Sequence, residues 1–517
     1  MLTNRGRFVA LALCLTLTAP LARAEAPLSA IDWLSKSLVT PVAQPAPNLN
    51  EPAVTKKGVV PDGVTTSTLD VASPDAIGLL PPAVTGLPRN LWGLGHATDI
   101  ETLLADEASQ DLPALQGLLI TVLLAEADPP ADAGSGQQLL LARIDRLLAM
   151  GALDQARALL DAAGATSSPE IFRRYFDVAL LIGDEDKACA ALRDAPGLSP
   201  ALPTRIFCLA RAGDFDAAGL TLDTAKALGT VTPPDAALLS RFMDPEQDDS
   251  DTALLAPNPV TPLTMRMFQA IGAPLPLADM PIAFSYADLA DTAGWKAQIE
   301  AAERLSRAGA IAPNLLLGLY TLQKPAASGG VWDRVAAFQK LDAAITAQDL
   351  KATEQALPAA WTAMKSVELE VPLADLYADA LAKLPLTGDA AQTAYQIGLL
   401  SPRYETLAAR LPPSKDDRTR FLAGLATGNL TGLTPPDSMA SAIAPAFQSP
   451  AITADFQALL DQNRMGETIL LAMAHITQGT QGDLRGVTEG LSVLRKIGLE
   501  DVARRTALEL MLLDRRG

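Results

Sequence analysis

The chain has 517 residues, of which 49% are apolar, 4% aromatic and 19% charged. This apolar fraction is large enough to form an extensive core, which excludes a wholly disordered chain. Two histidines and three cysteines are too few for a zinc site of the usual Cys/His kind, and they leave little material for histidine acid–base chemistry. We therefore expect no metal and no cofactor.

The net charge of −18, from 41 basic and 59 acidic residues, limits the kinds of partner. Nucleic-acid backbones and anionic lipid surfaces attract lysine and arginine, so both repel an acidic chain on average. The low aromatic content also argues against single-stranded nucleic acids, whose bases stack on aromatic side chains. We expect no nucleic-acid partner.

The first 24 residues have the pattern of a secretory signal peptide. Arg5 and Arg7 form a positive start, residues 8–19 are apolar or hydroxylated, and Ala22 and Ala24 occupy the small-residue positions of a cleavage site. We expect cleavage after Ala24. Because an Ala-x-Ala site after a short positive start is typical of bacteria, we expect a periplasmic protein, or one outside the cell.

Two alternatives for this segment involve the membrane. A retained anchor needs about 20 apolar residues, and this run has about a dozen. A lipoprotein would use Cys14, but Leu13 lies where a small residue is required. No later stretch reaches the length of a membrane span, so we expect no integral membrane segment after cleavage.

Residues 25–95 are rich in proline, which removes a backbone donor and restrains the preceding residue, so we expect a flexible segment there. Residues 31–38 differ, because Ile31, Leu34 and Leu38 share one helical face with Trp33 beside it. A short amphipathic helix on a tether is typical of a segment that docks into a groove of a partner protein. The alternative is that it packs on the folded part of its own chain.

From residue 96 onward, apolar residues recur at spacings of three and four, which predicts helices separated by short turns with Gly or Pro. Only the stretch from Val367 to Val371 alternates in the manner of a strand. We therefore expect an all-α fold. It consists of a helical-repeat region over 96–243, an acidic and proline-rich linker over 244–262, and a second helical-repeat region over 263–517.

A six-residue motif, Gly-x-x-Asp-x-Ala, occurs at four places in these helical regions. The first three glycines are 32 and 30 residues apart, and apolar-periodic segments flank each motif. The spacing predicts that each motif forms the turn of a helical hairpin. The motif residues are Gly151, Asp154 and Ala156; Gly183, Asp186 and Ala188; Gly213, Asp216 and Ala218; and Gly498, Asp501 and Ala503.

Each residue type of the motif suits a tight turn between two helices. Glycine accepts the left-handed angles that end the first helix. The aspartate lies in the first turn of the second helix, where the helix dipole favours an acid. The small alanine lets the two helices approach closely. Hairpins of this period bury their apolar faces by stacking on their neighbours.

The sequence Gly-Asp-Phe-Asp-Ala-Ala, which begins at Gly213, resembles the hairpin turn of tetratricopeptide-type repeats. The resemblance covers residues 137–232 and 484–514. The units here are about 31 residues long rather than 34, and they mostly lack the family's Trp and Tyr positions in the first helix. The resemblance implies a superhelical α-solenoid of helix-turn-helix repeats that binds a protein or peptide on its concave face.

Cys189 and Cys208 are the cysteines that remain once residues 1–24 are removed. The spacing of the Gly-x-x-Asp-x-Ala motifs places Cys189 on the second helix of one hairpin and Cys208 on the first helix of the next. We expect these two helices to be neighbours. An oxidising compartment would allow a disulfide between them. The alternative is two buried thiols on helix faces that do not meet.

Oxygen-bearing residues at alternate positions from Asp244 to Thr252 follow the spacing of a calcium-binding loop. Asp249 and Leu255 replace the diagnostic glycine and final glutamate, so we expect a solvated acidic loop instead. His96 and His475 are far apart in sequence. His475 lies in an apolar helix, where we expect a hydrogen-bonded core residue.

No catalytic motif is found in the sequence: it lacks the Gly-x-Ser-x-Gly elbow, the phosphate-binding loops and the Glu-Ser dipeptide of helical lytic transglycosylases. We expect a non-enzymatic scaffold or adaptor that binds a protein or peptide partner in the cell envelope. Two alternatives remain. One is a cell-wall or polysaccharide enzyme with paired carboxylates, and the other is a structural component of an envelope machine, such as a secretion or flagellar apparatus.

Overall fold

The structure, a computed structural model, describes residues 73–106, 112–133, 136–199, 201–244, 254–325, 329–410 and 416–513. Within these ranges every regular element is a helix, and the one β-type pairing is an isolated bridge between Leu80 and Ala125. The described chain is therefore all-α, as the apolar periodicity predicts. The expected signal peptide, the stretch at 31–38 and residues 245–253 of the acidic segment lie outside the described residues.

The α-helices are α1 (Pro82–Thr85), α2 (Ala97–Asp106), α3 (Pro113–Leu124), α4 (Gln138–Ala149), α5 (Leu153–Ala162), α6 (Pro169–Ile182), α7 (Glu185–Asp194), α8 (Leu202–Arg211), α9 (Phe215–Leu228), α10 (Pro233–Met243), α11 (Pro262–Ala270), α12 (Trp295–Arg307), α13 (Pro313–Thr321), α14 (Val331–Thr346), α15 (Leu350–Lys365), α16 (Glu370–Leu381), α17 (Gly388–Leu399), α18 (Tyr404–Ala408), α19 (Asp417–Thr427), α20 (Ser438–Gln448), α21 (Ala454–Asp461), α22 (Met465–Thr480), α23 (Leu484–Lys496) and α24 (Glu500–Leu512). Short 3₁₀ helices span Pro74–Ala76, Pro196–Leu198 and Ile282–Leu289. Among the described helices, none is both long enough and apolar enough to cross a membrane.

Helices α4 to α10 form consecutive hairpins, because each packs against the next along the chain. Their starts follow from local sequence. Ser168 caps α6 and Thr232 caps α10, each by accepting a hydrogen bond from a backbone N–H group. Proline follows both caps, at a helical position where its missing N–H would have no partner within the helix.

The four Gly-x-x-Asp-x-Ala motifs lie at turns between helices. Their glycines have φ angles between 72° and 92°, a region in which a side chain would be strained. Their aspartates lie in the first turn of the following helix, and their alanines are fully buried. This is the turn geometry that the motif predicts, and it is present at Gly151, Gly183, Gly213 and Gly498.

The residues that follow the acidic segment fold back onto the first hairpins. Helix α11 packs on α6, and the 3₁₀ helix Ile282–Leu289 packs on both α4 and α6. At this contact, burial raises the pKa of Asp154, and a hydrogen bond with Tyr286 partly offsets that effect. One side of the first hairpins is thus covered by the chain itself.

The linker predicted at 244–262 does not separate two packed units. Helices α10 and α11, which precede and follow the acidic segment, are in contact with each other, and α11 also contacts α6. Prolines and acids in that stretch indicate a break in helix, but they carry no information on what the next helix packs against. The described helices on its two sides share one core.

The two ends of the described chain also meet. Helix α24 packs on α3, and α22 packs on α2. Glu509 is 2% exposed, and both of its carboxylate oxygens lie 3.0 Å from the backbone N–H nitrogen of Ala114, at the start of α3. The backbone N–H of Gly466 donates to the carbonyl of Leu91 at 2.8 Å. The helices therefore form a closed arrangement.

The packed body begins earlier than the sequence predicts. Residues 73–95 were expected to belong to the flexible segment, but Leu91 and Trp92 are at most 1% exposed. Asp75 accepts a hydrogen bond from the backbone N–H of Leu140 at 2.7 Å, at the start of α4. Proline-rich sequence can pack in this way when other residues satisfy its backbone groups, and the described part of the segment does so.

Candidate binding pocket

A pocket of about 450 Å³ lies between α7 and α8, two helices of adjacent hairpins. Cys189 on α7 and Cys208 on α8 are joined there by a disulfide. The spacing of the motifs predicts that these helices are neighbours. Their packing brings the Cα atoms of the two cysteines to within 5.1 Å of each other. The bond fixes the two walls of the pocket against each other.

The floor of the pocket is apolar and its rim is charged. Ala190 and Leu209 are half-buried, so part of their surface faces the pocket. The lining residues are Asp186, Cys189, Ala190, Leu192, Arg193, Pro196, Arg205, Cys208, Leu209, Arg211 and Ala212. The volume lies within the range of about 300–1,000 Å³ that is typical of ligand pockets.

Three arginines surround the pocket, and one carboxylate, Asp186, lies among them. Arg211 is paired with Asp186 at 2.6 Å. Arg205 donates to the backbone carbonyls of Ser199 at 2.8 Å and Pro196 at 2.7 Å, which leaves its charge without a carboxylate among the described residues. Arg193 is exposed and makes no ion pair with any described residue. The pocket is therefore cationic on a chain of net charge −18.

A larger groove of about 820 Å³ lies between α8, α11 and the start of α12. Its polar centre is Glu185, which lies 3.1 Å from Arg266 and 3.5 Å from Arg211 and has a side chain only 6% exposed. The two guanidinium groups neutralise this buried carboxylate, as the burial of a charge requires. The cluster ties α7, α8 and α11 together, and we assign it a structural role.

Asp177, on α6, lines a third pocket of about 480 Å³ together with Glu170. Burial raises the pKa of Asp177 to about 6, although Arg173 and Arg174 act in the opposite direction. A carboxyl group whose pKa is raised towards neutral pH can act as a general acid. Glu170 lies two helical turns away on the same helix, about 10 Å along its axis.

The two histidines do not form a site together. His96 Nδ1 lies 3.1 Å from a carboxylate oxygen of Asp132 at the surface. His475 Nδ1 lies 3.0 Å from a carboxylate oxygen of Glu489, and its ring meets that of Phe456 edge-on at 5.3 Å. Within the described residues, no group of three or more His, Cys, Asp or Glu side chains could hold a metal ion.

Residues named from the sequence fall into three groups. The cysteines line the pocket, and the glycines, aspartates and alanines of the motif shape the hairpin turns, although Asp186 also lies on the pocket rim. The proposed partner-binding residues Ile31, Trp33, Leu34 and Leu38 lie outside the described residues.

Sequence reasoning did not identify Arg193, Arg205 or Arg211 as pocket residues. Isolated arginines on repeat helices resemble ordinary surface charges. The one available signal is that two of these arginines lie close in sequence to a cysteine. Arg193 lies four residues after Cys189, and Arg205 lies three residues before Cys208.

Comparison of the chain with protein-family models, with curated proteins and with solved structures found no match.

Proposed function

We propose that the chain is a periplasmic helical-repeat adaptor, an α-solenoid of tetratricopeptide type, whose arginine-rimmed pocket binds an acidic amphipathic segment of a partner protein in the cell envelope. The observation that carries this proposal is the cationic pocket itself. Arg193 and Arg205 surround an apolar floor on a chain of net charge −18, and neither is paired with a described carboxylate.

Charge and shape together favour a peptide as the ligand. Complementary charges steer a partner to the correct face and reject partners of the wrong sign. The pocket lies between two helices and is open to solvent along one side, as its exposed arginines show. An amphipathic helix places apolar anchors in such a groove and keeps its charges at the rim.

The covering of one side of the first hairpins also favours the pocket between α7 and α8 as the binding site. Tetratricopeptide-type solenoids are expected to bind peptides on the concave face formed by the first helices of the hairpins. Here α11 and the 3₁₀ helix Ile282–Leu289 occupy part of the side formed by α4 and α6. The pocket between α7 and α8 stays open.

The proposed compartment rests on two observations from different parts of the chain. Residues 1–24 have the pattern of a signal peptide. The disulfide between Cys189 and Cys208 is of a kind that persists in oxidising compartments such as the bacterial periplasm and is rare in the cytosol.

Binding of a defined peptide tests the proposal. The probe is a short fluorescent helix-forming peptide with leucine at positions i, i+3, i+4 and i+7 and glutamate at its flanks, and a matched peptide carries lysine instead. Fluorescence anisotropy should show that the acidic peptide binds at least about tenfold more tightly. The preference should fall in Arg193→Glu and persist in Arg485→Glu, an exposed arginine on α23. Equal binding of both peptides would contradict the proposal.

Asp177 favours a second candidate, a cell-wall or polysaccharide enzyme. Its carboxyl group, with a pKa of about 6, lines a pocket that Glu170, two helical turns away, also lines. The test is incubation of the purified protein with peptidoglycan, followed by mass spectrometry of the soluble fragments. Fragments that disappear in Asp177→Asn would support this candidate, and the absence of fragments from the unaltered protein would eliminate it.

A further inference from the structure

We propose that the segment at residues 31–38 of this same chain occupies the arginine-rimmed pocket while no partner is bound, and so acts as an intramolecular competitor. The inference rests on the proposed function only in that a partner peptide must displace the segment. Three features of the chain carry it: apolar surfaces on both parts, a carboxylate that can pair with the rim, and the place where the described chain begins.

Both the pocket and the segment present apolar side chains. The pocket presents Ala190, Leu209 and Ala212 between its two helices. The segment places Ile31, Leu34 and Leu38 at helical spacings of three and four, with Trp33 beside them. An aromatic anchor of this type buries about 150–250 Å² when it enters a groove.

The segment carries a carboxylate that can pair with the cationic rim of the pocket. Residues 25–38 contain two acids, Glu25 and Asp32, balanced by Lys36 and by the α-amino group that cleavage after Ala24 creates, so the segment has no net charge. The pocket rim offers Arg193 and Arg205, which lack a carboxylate partner among the described residues. Asp32 lies next to Trp33 in the segment, so a docked segment can place one carboxylate against these arginines.

The described chain begins close enough for the segment to reach the pocket. The hydroxyl of Ser73 donates to the carbonyl of Gly136 at 3.4 Å, beside the start of α4. Helix α4 packs directly on α6, and α6 packs on α7, so the pocket between α7 and α8 is two to three helix spacings away, or about 20–30 Å at 8–10 Å per spacing. The 34 residues from 39 to 72 have an average random-coil span of about 30 Å. A tether whose span matches the distance gives the highest effective concentration.

Photocross-linking in the purified full-length chain tests this inference without any partner. Trp33 is replaced by the photoreactive amino acid p-benzoylphenylalanine, and cross-linked peptides are identified by mass spectrometry. We expect intramolecular cross-links to the part of the chain between Asp186 and Ala212. Cross-links that map elsewhere on the chain, that join two copies, or that do not form would overturn the inference.

Two further variants of the cross-linking chain test the role of charge and apolar anchors. Arg193→Glu should lower the yield about fivefold, because an exposed attraction becomes a repulsion, whereas Arg485→Glu should leave it unchanged. Leu34→Asp combined with Leu38→Asp should abolish the product. A yield that is equal in all these variants would show that contact with the pocket is non-specific and would overturn the inference.

The acidic leucine peptide separates this inference from the proposed function. If both hold, the added peptide lowers the cross-link yield in proportion to its occupancy of the pocket. If cross-links form but the peptide neither binds nor competes, the intramolecular contact stands and the proposed function fails. If the peptide binds and no cross-link to the pocket forms, the proposed function stands and this inference is wrong.

Discussion

At the scale of single residues, Arg143 on α4 connects the start of the described chain to the helices. Its side chain is 1% exposed and donates to the carbonyls of Leu123 at 2.7 Å, Ile77 at 2.7 Å and Ala125 at 3.0 Å. Burial lowers the pKa of Arg143 to about 10, and the nearby carboxylate of Asp75 opposes that shift. The guanidinium is therefore charged at neutral pH and fully engaged.

Replacement of Arg143 should be strongly destabilising. Arg143→Met leaves several buried carbonyls without a donor and removes the positive charge beside Asp75, a loss that typically costs about 3–5 kcal/mol. Urea unfolding followed by circular dichroism should show a clearly lower midpoint. The control Arg485→Met removes an exposed arginine and should change stability by at most about 0.5 kcal/mol. Similar midpoints for the two variants would contradict this assignment.

The raised pKa of Asp177 predicts a specific dependence of the free energy of unfolding on pH. Because burial raises its pKa to about 6, the folded state holds the proton more tightly than the unfolded state. Its contribution therefore favours folding at low pH and is lost as the pH rises through about 6. Asp177→Asn removes this titration.

The measurement compares the unfolding midpoints of Asp177→Asn and the unaltered protein at pH 4.5 and pH 8. We expect the variant to gain stability relative to the unaltered protein as the pH rises. Asp389→Asn, at an exposed position, serves as the control substitution. A difference that is the same at both pH values would show that burial does not perturb Asp177.

At the scale of secondary-structure elements, the hairpins could be predicted from sequence to a large extent. The glycine of each Gly-x-x-Asp-x-Ala motif ends one helix and the aspartate begins the next, and both effects act within a few residues. The strand-like alternation from Val367 to Val371 was misleading. Glu368 has a φ of 59° and closes the turn after α15, and α16 begins at Glu370.

The disulfide between α7 and α8 should contribute measurably to stability. The two cysteines are 19 residues apart, and closing a loop of this length stabilises a protein by about 3 kcal/mol in the chain-entropy account. Dithiothreitol should therefore lower the urea midpoint of the unaltered protein. The double variant Cys189→Ser, Cys208→Ser should have that lower midpoint without reductant and should not respond to it. An unaltered protein that is insensitive to the reductant would contradict the bond.

At the scale of the whole molecule, the closed arrangement depends on close contacts between distant parts of the chain. Gly466, on α22, packs on the indole ring of Trp92, and a Cβ at this position would overlap that ring. Glu509 caps α3 across a separation of 395 residues. These contacts join Trp92 to α22 and the start of α3 to α24.

A matched pair of glycine substitutions tests the closure. Gly466→Ala should displace Trp92, lower the unfolding midpoint and increase hydrogen exchange in the residues on both sides of the contact. Gly219 also lies inside a helix, but a Cβ there would meet no other atom. Gly219→Ala should therefore stabilise the protein by up to about 1 kcal/mol through helix propensity. A Gly466→Ala protein with unchanged stability and exchange would contradict the closed arrangement.

Two features of the packing could not be predicted from the sequence. They are the contact between the two ends of the described chain and the covering of one side of the first hairpins. Amphipathic spacing shows that a helix has an apolar face, but it does not show which helix covers it. Leu91 and Trp92 lie in a Gly- and Pro-rich stretch typical of a linker, and they are buried because α22 lies against them. The pocket arginines were missed for the same reason, since their proximity depends on how α7 and α8 pack.

Co-purification from the periplasm tests the central claim most directly, namely that the arginine-rimmed pocket captures an acidic segment of an envelope protein. Partners of the unaltered chain, of Arg193→Glu and of Arg485→Glu are identified by quantitative mass spectrometry. The account predicts at least one envelope protein that is captured by the unaltered chain and by Arg485→Glu, and is depleted with Arg193→Glu. The same set of proteins captured equally by all three chains would contradict it.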